Sequence, residues 1–325
     1  FLDQPMTVEV GSLPGGTVRI GATGSLETNA LRRFYGLRAL EHLSGETSWR
    51  GSLSVKKPVA ELRIESDLRG LSSSLPEPFN KSGLVALPLN VVGRIEPQRD
   101  EWSVTLGAAA AIRLQQQGNS WRGQLAIGTV AGNPAAAGLP MQGIALAVAV
   151  PQLDVDAWQA LLQNGNGSNG TDKGNGLPLL SVIDIRSPDL RVAHRHFHDV
   201  QLQATRNESR WQATVASREA QGQLTWDATG AGRIAGRLAR LHLPAGEAAG
   251  GEEPPMDEAR EMPAVDLAID SFRLGELAFG EAKVKAENRE GAWQAKLDVK
   301  NDAAKFGGEG RWRPGRAGGN APETA

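Results

Sequence analysis

An internal repeat constrains the fold of this chain more than any other feature of its sequence. The segment that begins at Phe197 (FHDVQLQATRNESRWQATVAS) aligns without a gap with the segment that begins at Phe279 (FGEAKVKAENREGAWQAKLDV), at an offset of 82 residues. After a short insertion, both segments close on Gly-x-x-x-Trp, at Gly222–Trp226 and Gly308–Trp312. Units of this kind bury their apolar faces against neighbouring units, so the repeat predicts an array.

Apolar and polar residues alternate along both repeats and along much of the remaining chain. Examples are TVRIGA, AELRIESDL, EWSVTLG, WRGQLAIG, RWQATVAS and AWQAKLDVK. A period of two places alternate side chains on opposite faces of a β-strand. The sequence therefore predicts a mainly β fold, an elongated and curved antiparallel sheet of repeated units with an open groove. Alternation by itself also fits an ordinary sealed core, as in a sandwich or a barrel.

Two short helices and several boundaries interrupt this pattern. Helices are predicted near 28–43, with Thr28 or Asn29 as the N-cap, and near 154–163, with Asp154 or Asp156 at the start. Gly-, Asn- and Pro-rich stretches indicate loops or linkers. The predicted organisation is a β-rich region at 1–163, a flexible Gly/Asn loop at 164–176, a repeat unit at 177–243, an acidic Pro/Gly linker at 244–263, a repeat unit at 264–313 and a disordered tail at 314–325.

Composition excludes several classes of function. The formal net charge of −2 offers no basic excess for a nucleic-acid partner. The absence of cysteine excludes disulfides, thiolate metal sites and a cysteine nucleophile. The longest apolar run, Ile144–Val150, is far shorter than the roughly 20 residues of a membrane-spanning helix. The chain begins at Phe1 without a visible signal peptide, so we expect targeting signals and any membrane anchor to lie outside it.

The alternation assigns one apolar face to the two repeats. Small side chains are frequent on this face, and they under-fill a sealed core but leave room for a guest molecule. The polar partners, which we expect to face water, are Gln201, Gln203, Gln212, Thr214, Lys283, Lys285, Gln294 and Lys296. The predicted groove residues are Val200, Leu202, Ala204, Trp211, Ala213, Val215, Leu224, Trp226, Val284, Ala286, Trp293, Ala295, Leu297, Val299 and Trp312.

A histidine cluster is the main candidate for chemistry. His194, His196 and His198 stand at alternate positions and could ligate zinc from one strand face. The repeat argues against a metal site, because it aligns this segment with LGELAFG, which is typical of a turn, and aligns His196 with Ala278. We therefore predict a solvated turn and no metal. The carboxylates Asp266 and Asp270 are expected on the wet face.

The segment Thr47–Leu89 resembles the YhdP family of AsmA-like envelope proteins. The most specific part is SDLRGLSSSLPEPFNK at Ser66–Lys81, and the later Trp-x-Ala units resemble the repeated C-terminal half of that family. The resemblance implies a long β-rich trough, similar to TamB, that is anchored in the inner membrane of a Gram-negative bacterium and spans the periplasm. It also implies transport of phospholipid toward the outer membrane. No catalytic residues are known in the family, so the resemblance implies no enzyme and no cofactor.

The expected function is therefore to shield phospholipid acyl chains in a hydrophobic groove. The expected partners are phospholipid and the inner-membrane anchor of the full-length protein. One alternative is a structural β-array that spaces or tethers envelope partners. A second alternative is a metal-dependent hydrolase centred on the histidines, which requires the three imidazole rings to converge on one point.

Overall fold

The computed structural model describes residues 4–35, 38–129, 139–163, 180–229, 232–243, 263–289, 292–301 and 304–312. The predicted loop at 164–176 and the tail at 314–325 lie outside the described residues, as does the linker at 244–263 apart from Pro263. Packing divides the chain into two compact units, Phe1–Val182 and Ile183–Ala325, and each is considered by itself. The predicted domain boundaries stay a prediction.

The prediction of a mainly β fold with mostly antiparallel strands is confirmed. The described residues also contain two α-helices, α1 at Thr28–Tyr35 and α2 at Val155–Gln163, and a 3₁₀ helix at Arg38–His42. The strands are β1 Met6–Leu13, β2 Thr17–Glu27, β3 Leu43–Lys56, β4 Val59–Ser66, β5 Leu71–Ser73, β6 Leu89–Ile95, β7 Asp100–Leu106, β8 Ala110–Gln117, β9 Ser120–Gly128, β10 Gly143–Ala149, β11 Gln152–Asp154, β12 Leu180–Val192, β13 Arg195–Asn207, β14 Arg210–Ala216, β15 Ala220–Asp227, β16 Arg233–Leu243, β17 Ala264–Leu274, β18 Leu277–Arg289, β19 Ala292–Lys300 and β20 Lys305–Trp312.

The first unit is a sheet whose strands follow one another in the order β1, β2, β3, β4, β6, β7, β8, β9 and β10. Neighbouring strands are antiparallel, except that β10 runs parallel to β9. The short strand β5 pairs instead with the first residues of β3, at Leu43–Gly45. Both helices and the long connection between β4 and β6 therefore leave the sheet from the same end of its strands.

The second unit has the same construction. Its strands β13 to β20 are neighbours in chain order, and all pairs are antiparallel except β16 and β17, which are parallel. A parallel pair needs a connection that crosses back over the sheet, whereas antiparallel neighbours can be joined by tight turns. The sequence analysis did not predict these parallel joins, because alternation records the face of a residue and not the direction of the neighbouring strand.

The internal repeat corresponds to equivalent strands. The bounds of β13, Arg195–Asn207, and of β18, Leu277–Arg289, differ by the same 82 residues at both ends. The tryptophans are also equivalent, because Trp211 pairs with Trp226 across β14 and β15, and Trp293 pairs with Trp312 across β19 and β20. The repeat therefore defines a structural unit as well as a sequence pattern.

Both predicted helices are present, and the first is shorter than expected. The predicted helix near 28–43 ends as an α-helix at Tyr35 and is followed by the 3₁₀ helix. The guanidinium of Arg32 donates to the carbonyls of Leu40 and Glu41 at 2.8 and 3.2 Å, and Leu43 is already paired in the sheet. In a continuous helix Leu40 would lie about 12 Å further along the axis than Arg32, so these bonds show that the chain has turned back towards α1. In α2, the amide of Ala157 donates to Oδ1 of Asp154 at 2.8 Å, which confirms Asp154 as the N-cap.

Candidate functional site: an open apolar face

Three rows of apolar residues cross the sheet of the second unit on one face. Residues directly opposite each other in a β-ladder share a face, so the register identifies each row. From β14 to β20 none of the three rows contains a charged side chain, whereas on β13 the charged Arg206 stands opposite Trp211. The rows are Trp211, Trp226, Ile234, Val265, Ala286, Ala295 and Gly310; then Ala213, Leu224, Gly236, Leu267, Val284, Leu297 and Gly308; then Val215, Gly222, Leu238, Ile269, Ala282, Val299 and Phe306.

This apolar face is open. At its centre Leu238 and Ile269 are buried, with 4% and 2% of their surface exposed. Towards its margins Trp226 is 46% exposed, Leu297 40% and Phe306 68%. Within the described part of the second unit all strands belong to one sheet, and no helix covers the face. A sealed core would hide such side chains between two layers, so this face differs from the interior of a sandwich.

The sequence-predicted groove residues lie on this face. Ten of them belong to the three rows, and the register places Leu202 opposite Val215 and Ala204 opposite Ala213. Trp293 stands opposite Trp312 at the end of the same face. Val200 precedes the registered part of β13 and is buried. The role of these residues in binding lipid stays a prediction.

Sequence analysis missed the centre of the face, which β16 and β17 supply. Leu238, Ile269 and Phe272 belong to the cluster that packs there, and the stacked rings of Phe272 and Phe279 lie 5.5 Å apart. The alternation in RIAGRLARLHL and in AVDLAIDSF was the available signal.

The opposite face of the second unit is polar and carries cross-strand ion pairs. Arg237 pairs with Asp270 at 2.9 Å, Arg233 with Asp266 at 3.2 Å, and Lys296 with Glu309 at 2.9 Å. Most of the predicted water-facing residues are exposed, and Gln294 is half-buried. Exposed pairs of this kind contribute about 0–1 kcal/mol each to stability. Their consequence is the contrast between the two faces, one charged and one without charge.

The first unit has an apolar face of the same kind. Two of its rows contain no charged side chain: Ile20, Leu53, Leu62, Gly93, Trp102, Leu114, Gly123 and Ile144; and Ala22, Gly51, Ile64, Val91, Val104, Ile112, Leu125 and Leu146. A Cβ at Gly93 would stand 2.6 Å from the ring of Trp102, so the indole lies flat over the glycine. At the β1 edge of the sheet Val10 is 71% exposed.

The segment Ser66–Lys81 folds against the helix-bearing end of the first unit. The Ser66 hydroxyl donates to the carbonyl of Ser48 at 2.6 Å, and Ser73 and Lys81 exchange backbone hydrogen bonds at 2.8 and 3.0 Å. The Lys81 ammonium is buried and donates to the carbonyls of Leu68, at 2.8 Å, and Leu71. Burial lowers the pKa of Lys81, although the charge of Asp67 acts in the opposite direction.

An aromatic contact ties the same segment to the second helix. The rings of Phe79 and Trp158 meet edge to face at 5.8 Å, so the loop between β4 and β6 packs against α2. The loop that carries the most specific part of the sequence resemblance is therefore held in place by hydrogen bonds and by this aromatic contact. The buried ammonium of Lys81 was not foreseen, since a lysine in a polar loop is ordinarily solvent-exposed.

The histidines diverge in their contacts. Ala193 and His194 both have positive φ angles, 50° and 57°, which is typical of a tight type I′ hairpin turn. The predicted turn is therefore present at His194, but it does not extend over the cluster, because His196 and His198 lie in strand β13. Nδ1 of His196 lies 2.9 Å from Asp189, and Nδ1 of His198 lies 2.7 Å from Glu219. Within the residues that the structure describes, no three metal-ligating side chains form a group.

Glu219 is held as a carboxylate by His198. Partial burial raises the pKa of Glu219, but hydrogen bonds from the backbone amide and the imidazole of His198 outweigh that effect and leave the pKa below its ordinary value. The hydrogen bond from the His198 backbone amide to Oε2 of Glu219 is 2.8 Å long. This pair links the start of β13 to the turn between β14 and β15 and holds the two segments together.

Comparison with known proteins identifies the family. No helix in the described ranges combines the length and apolar character that crossing a membrane requires. No curated protein and no solved structure matches the chain significantly. The YhdP protein family matches residues 1–322, which is nearly the whole chain. With its repeated β units and its uncovered apolar faces, the chain belongs to the YhdP family of AsmA-like proteins of the bacterial envelope.

Proposed function

We propose that the chain is a periplasmic segment of an inner-membrane-anchored protein and shields the acyl chains of phospholipids during transport toward the outer membrane. The observation that carries this proposal is the open apolar face of the second unit, three rows wide and free of charge. Membership of the YhdP family supports the envelope setting.

Shielding a phospholipid from water requires a large favourable free energy. A phospholipid that leaves a membrane exposes its acyl chains to water at a cost of roughly 0.8 kcal/mol per CH₂, so two chains require tens of kcal/mol of shielding. A sheet with a continuous apolar face supplies this shielding without specific contacts, because the hydrophobic effect is non-directional and scales with buried area. The polar opposite face keeps the sheet in contact with water.

The structural alternative, a β-array that only spaces envelope partners, would be served by a sheet sealed on both sides. The marginal residues of the face, Trp226 and Phe306, are instead largely exposed. A spacer has no need for an uncharged, uncovered face of this width, because such a surface promotes aggregation unless it has an occupant. The exposure therefore favours lipid shielding.

Native mass spectrometry of the purified chain, after incubation with vesicles of dioleoyl phosphatidylethanolamine, tests the proposal. We expect retained phospholipid as a defined mass increment. Glycerophosphoethanolamine, which has the headgroup but no acyl chains, is the matched ligand control and should not be retained. A chain that retains no phospholipid, while a known lipid-binding protein does so under the same conditions, contradicts the proposal and leaves the spacer.

A further inference from the structure

The aromatic residues of the second unit are segregated along the strands. All four tryptophans of this unit, Trp211, Trp226, Trp293 and Trp312, occupy one end of the strands, which is called the tryptophan end below. Three phenylalanines, Phe272, Phe279 and Phe306, occupy the other end, the phenylalanine end. Because the two ends belong to one face, that face is aromatic at both margins but differs in chemistry from one margin to the other.

The difference is a hydrogen-bond donor. An indole ring carries an N–H group, which needs a polar partner or water, whereas a phenyl ring has no polar atom. Trp226 is 46% exposed, and its N–H has no hydrogen-bond partner within the described part of the chain. Its Nε1 lies at the strand terminus, 3.1 Å from the point where a Cβ of Gly232 would stand. The donor is therefore available at the margin of the apolar face.

The distance between the two ends matches one acyl chain. Trp293 and Val299 lie on the same strand, and six residues at about 3.3 Å each span about 20 Å. Half of the roughly 30 Å hydrocarbon core of a bilayer, the depth that one extended acyl chain covers, is about 15 Å. An acyl chain of about 15 Å laid along the strands therefore fits between the tryptophan end and the phenylalanine end without leaving the apolar face.

We infer that a phospholipid lies on this face with its headgroup and ester oxygens at the tryptophan end and its acyl termini at the phenylalanine end. The inference rests on the proposed function and adds an orientation to it. Indoles are favoured where an apolar region meets a polar one, because the ring is buried while the N–H reaches an oxygen acceptor. At the phenylalanine end the face carries phenyl rings, which pack on the apolar cluster at its centre and have no polar atom to compete for the ends of acyl chains.

Quenching of a fluorophore at each end tests the orientation. The chain has no cysteine, so Ala295→Cys and Phe306→Cys each supply one attachment point for bimane. Ala295 is exposed in the same row as Trp226, and Phe306 is 68% exposed, so both labels perturb the fold little. The probes are a phospholipid with a nitroxide on its headgroup and one with a nitroxide at the end of an acyl chain.

We expect the headgroup nitroxide to quench the label at position 295 more strongly than that at 306, and the chain-end nitroxide to invert this ratio. Equal ratios for both probes, with lipid retained, overturn the orientation and leave the proposed function intact. If neither probe quenches either label and no phospholipid is retained by mass, both the orientation and the proposed function fail.

A second variant tests the indole donor itself. Trp226→Phe preserves an aromatic ring and removes the N–H, so retention of phospholipid should weaken by about two- to tenfold, the effect of one hydrogen bond. Trp158→Phe removes an indole N–H from α2 of the first unit, where Trp158 contacts Phe79, and is the matched control, with no change expected. Unchanged retention by the Trp226→Phe variant overturns the assignment of this donor to the lipid.

Discussion

A single carboxylate in the middle row of the open face should abolish lipid retention without unfolding the chain. Leu297 is suited to this test because it lies in the middle row, between Val284 and Gly308, and is 40% exposed before any ligand binds. Replacing it by aspartate, Leu297→Asp, removes apolar contact with an acyl chain. It also forces a charge into the space that the chain would fill.

The expected loss of lipid affinity follows from the exposed fraction of the Leu297 side chain. Full burial of a leucine side chain is worth about 1.5–3 kcal/mol, so covering the exposed 40% contributes about 0.6–1.2 kcal/mol to lipid binding. Burying an unpaired carboxylate beneath an acyl chain costs several kcal/mol more. Together these exceed about 3 kcal/mol, which corresponds to a loss of affinity of more than about a hundredfold. The loss of folding stability is smaller, about 1–2 kcal/mol, because only the already buried part of the side chain is involved.

The assay is native mass spectrometry with dioleoyl phosphatidylethanolamine, accompanied by urea denaturation of the same protein. Thr214→Asp is the matched control, since it adds the same charge to the polar face of the same sheet, opposite the exposed residues Gln203 and Gln223. We expect lipid retention by the Thr214→Asp variant and none by the Leu297→Asp variant. If both folded variants retain phospholipid equally, the apolar face is not the binding surface.

Three further predictions concern stability. Gly70→Ala should destabilise the chain more than Gly15→Ala. Both glycines have a φ of 86°, which costs alanine about 1–2 kcal/mol, but only at Gly70 would the added Cβ overlap the carbonyl oxygen of Glu46. Equal urea midpoints for the two variants would contradict this. Lys81→Met should lower the free energy of unfolding by about 1–3 kcal/mol, because the buried carbonyl of Leu71 and the half-buried carbonyl of Leu68 lose their donor. An unchanged urea midpoint would show that they find other partners. Glu219→Gln should reduce the loss of folding stability at acid pH. Because the pKa of Glu219 is lowered in the folded state, its carboxylate contributes its full stabilisation above the ordinary value of 4.5 and loses it as the pH falls through the folded-state pKa. Urea titrations that show the same loss of stability at acid pH for both proteins would refute the His198 contact.

The sequence predicted the strands well because one physical rule governs them. In β14 and β19, alternate residues reach opposite faces, and the 82-residue offset then carried the assignment from one repeat to the other. The alignment of the histidine segment with LGELAFG also indicated the turn, where Ala193 and His194 have positive φ angles, as Gly275 does. These features are local, so a single segment contains the information that determines them.

Other features depend on partners distant in the chain. The parallel pairing of β16 and β17 could not be deduced from their residues, because strand direction is determined by how the connection crosses the sheet. The early end of α1 depends on Arg32 and on the pairing of Leu43 with β5. The buried ammonium of Lys81 depends on two carbonyls in its own loop, and no periodic pattern in the sequence marks such a contact.

The parallel pairing of β16 and β17 also determines at which end of the strands the equivalent residues of the two repeats lie. Equivalent strands of the two repeats are five positions apart in the sheet, as β13 is from β18. Five antiparallel steps, an odd number, would reverse every strand of the second repeat and send Trp293 to the end opposite Trp211. One parallel step restores an even number of reversals, so both repeats present their indoles at the same margin. A chain built this way can gain or lose whole repeats without inverting its polarity, whereas the gain of a single strand would invert everything that follows it.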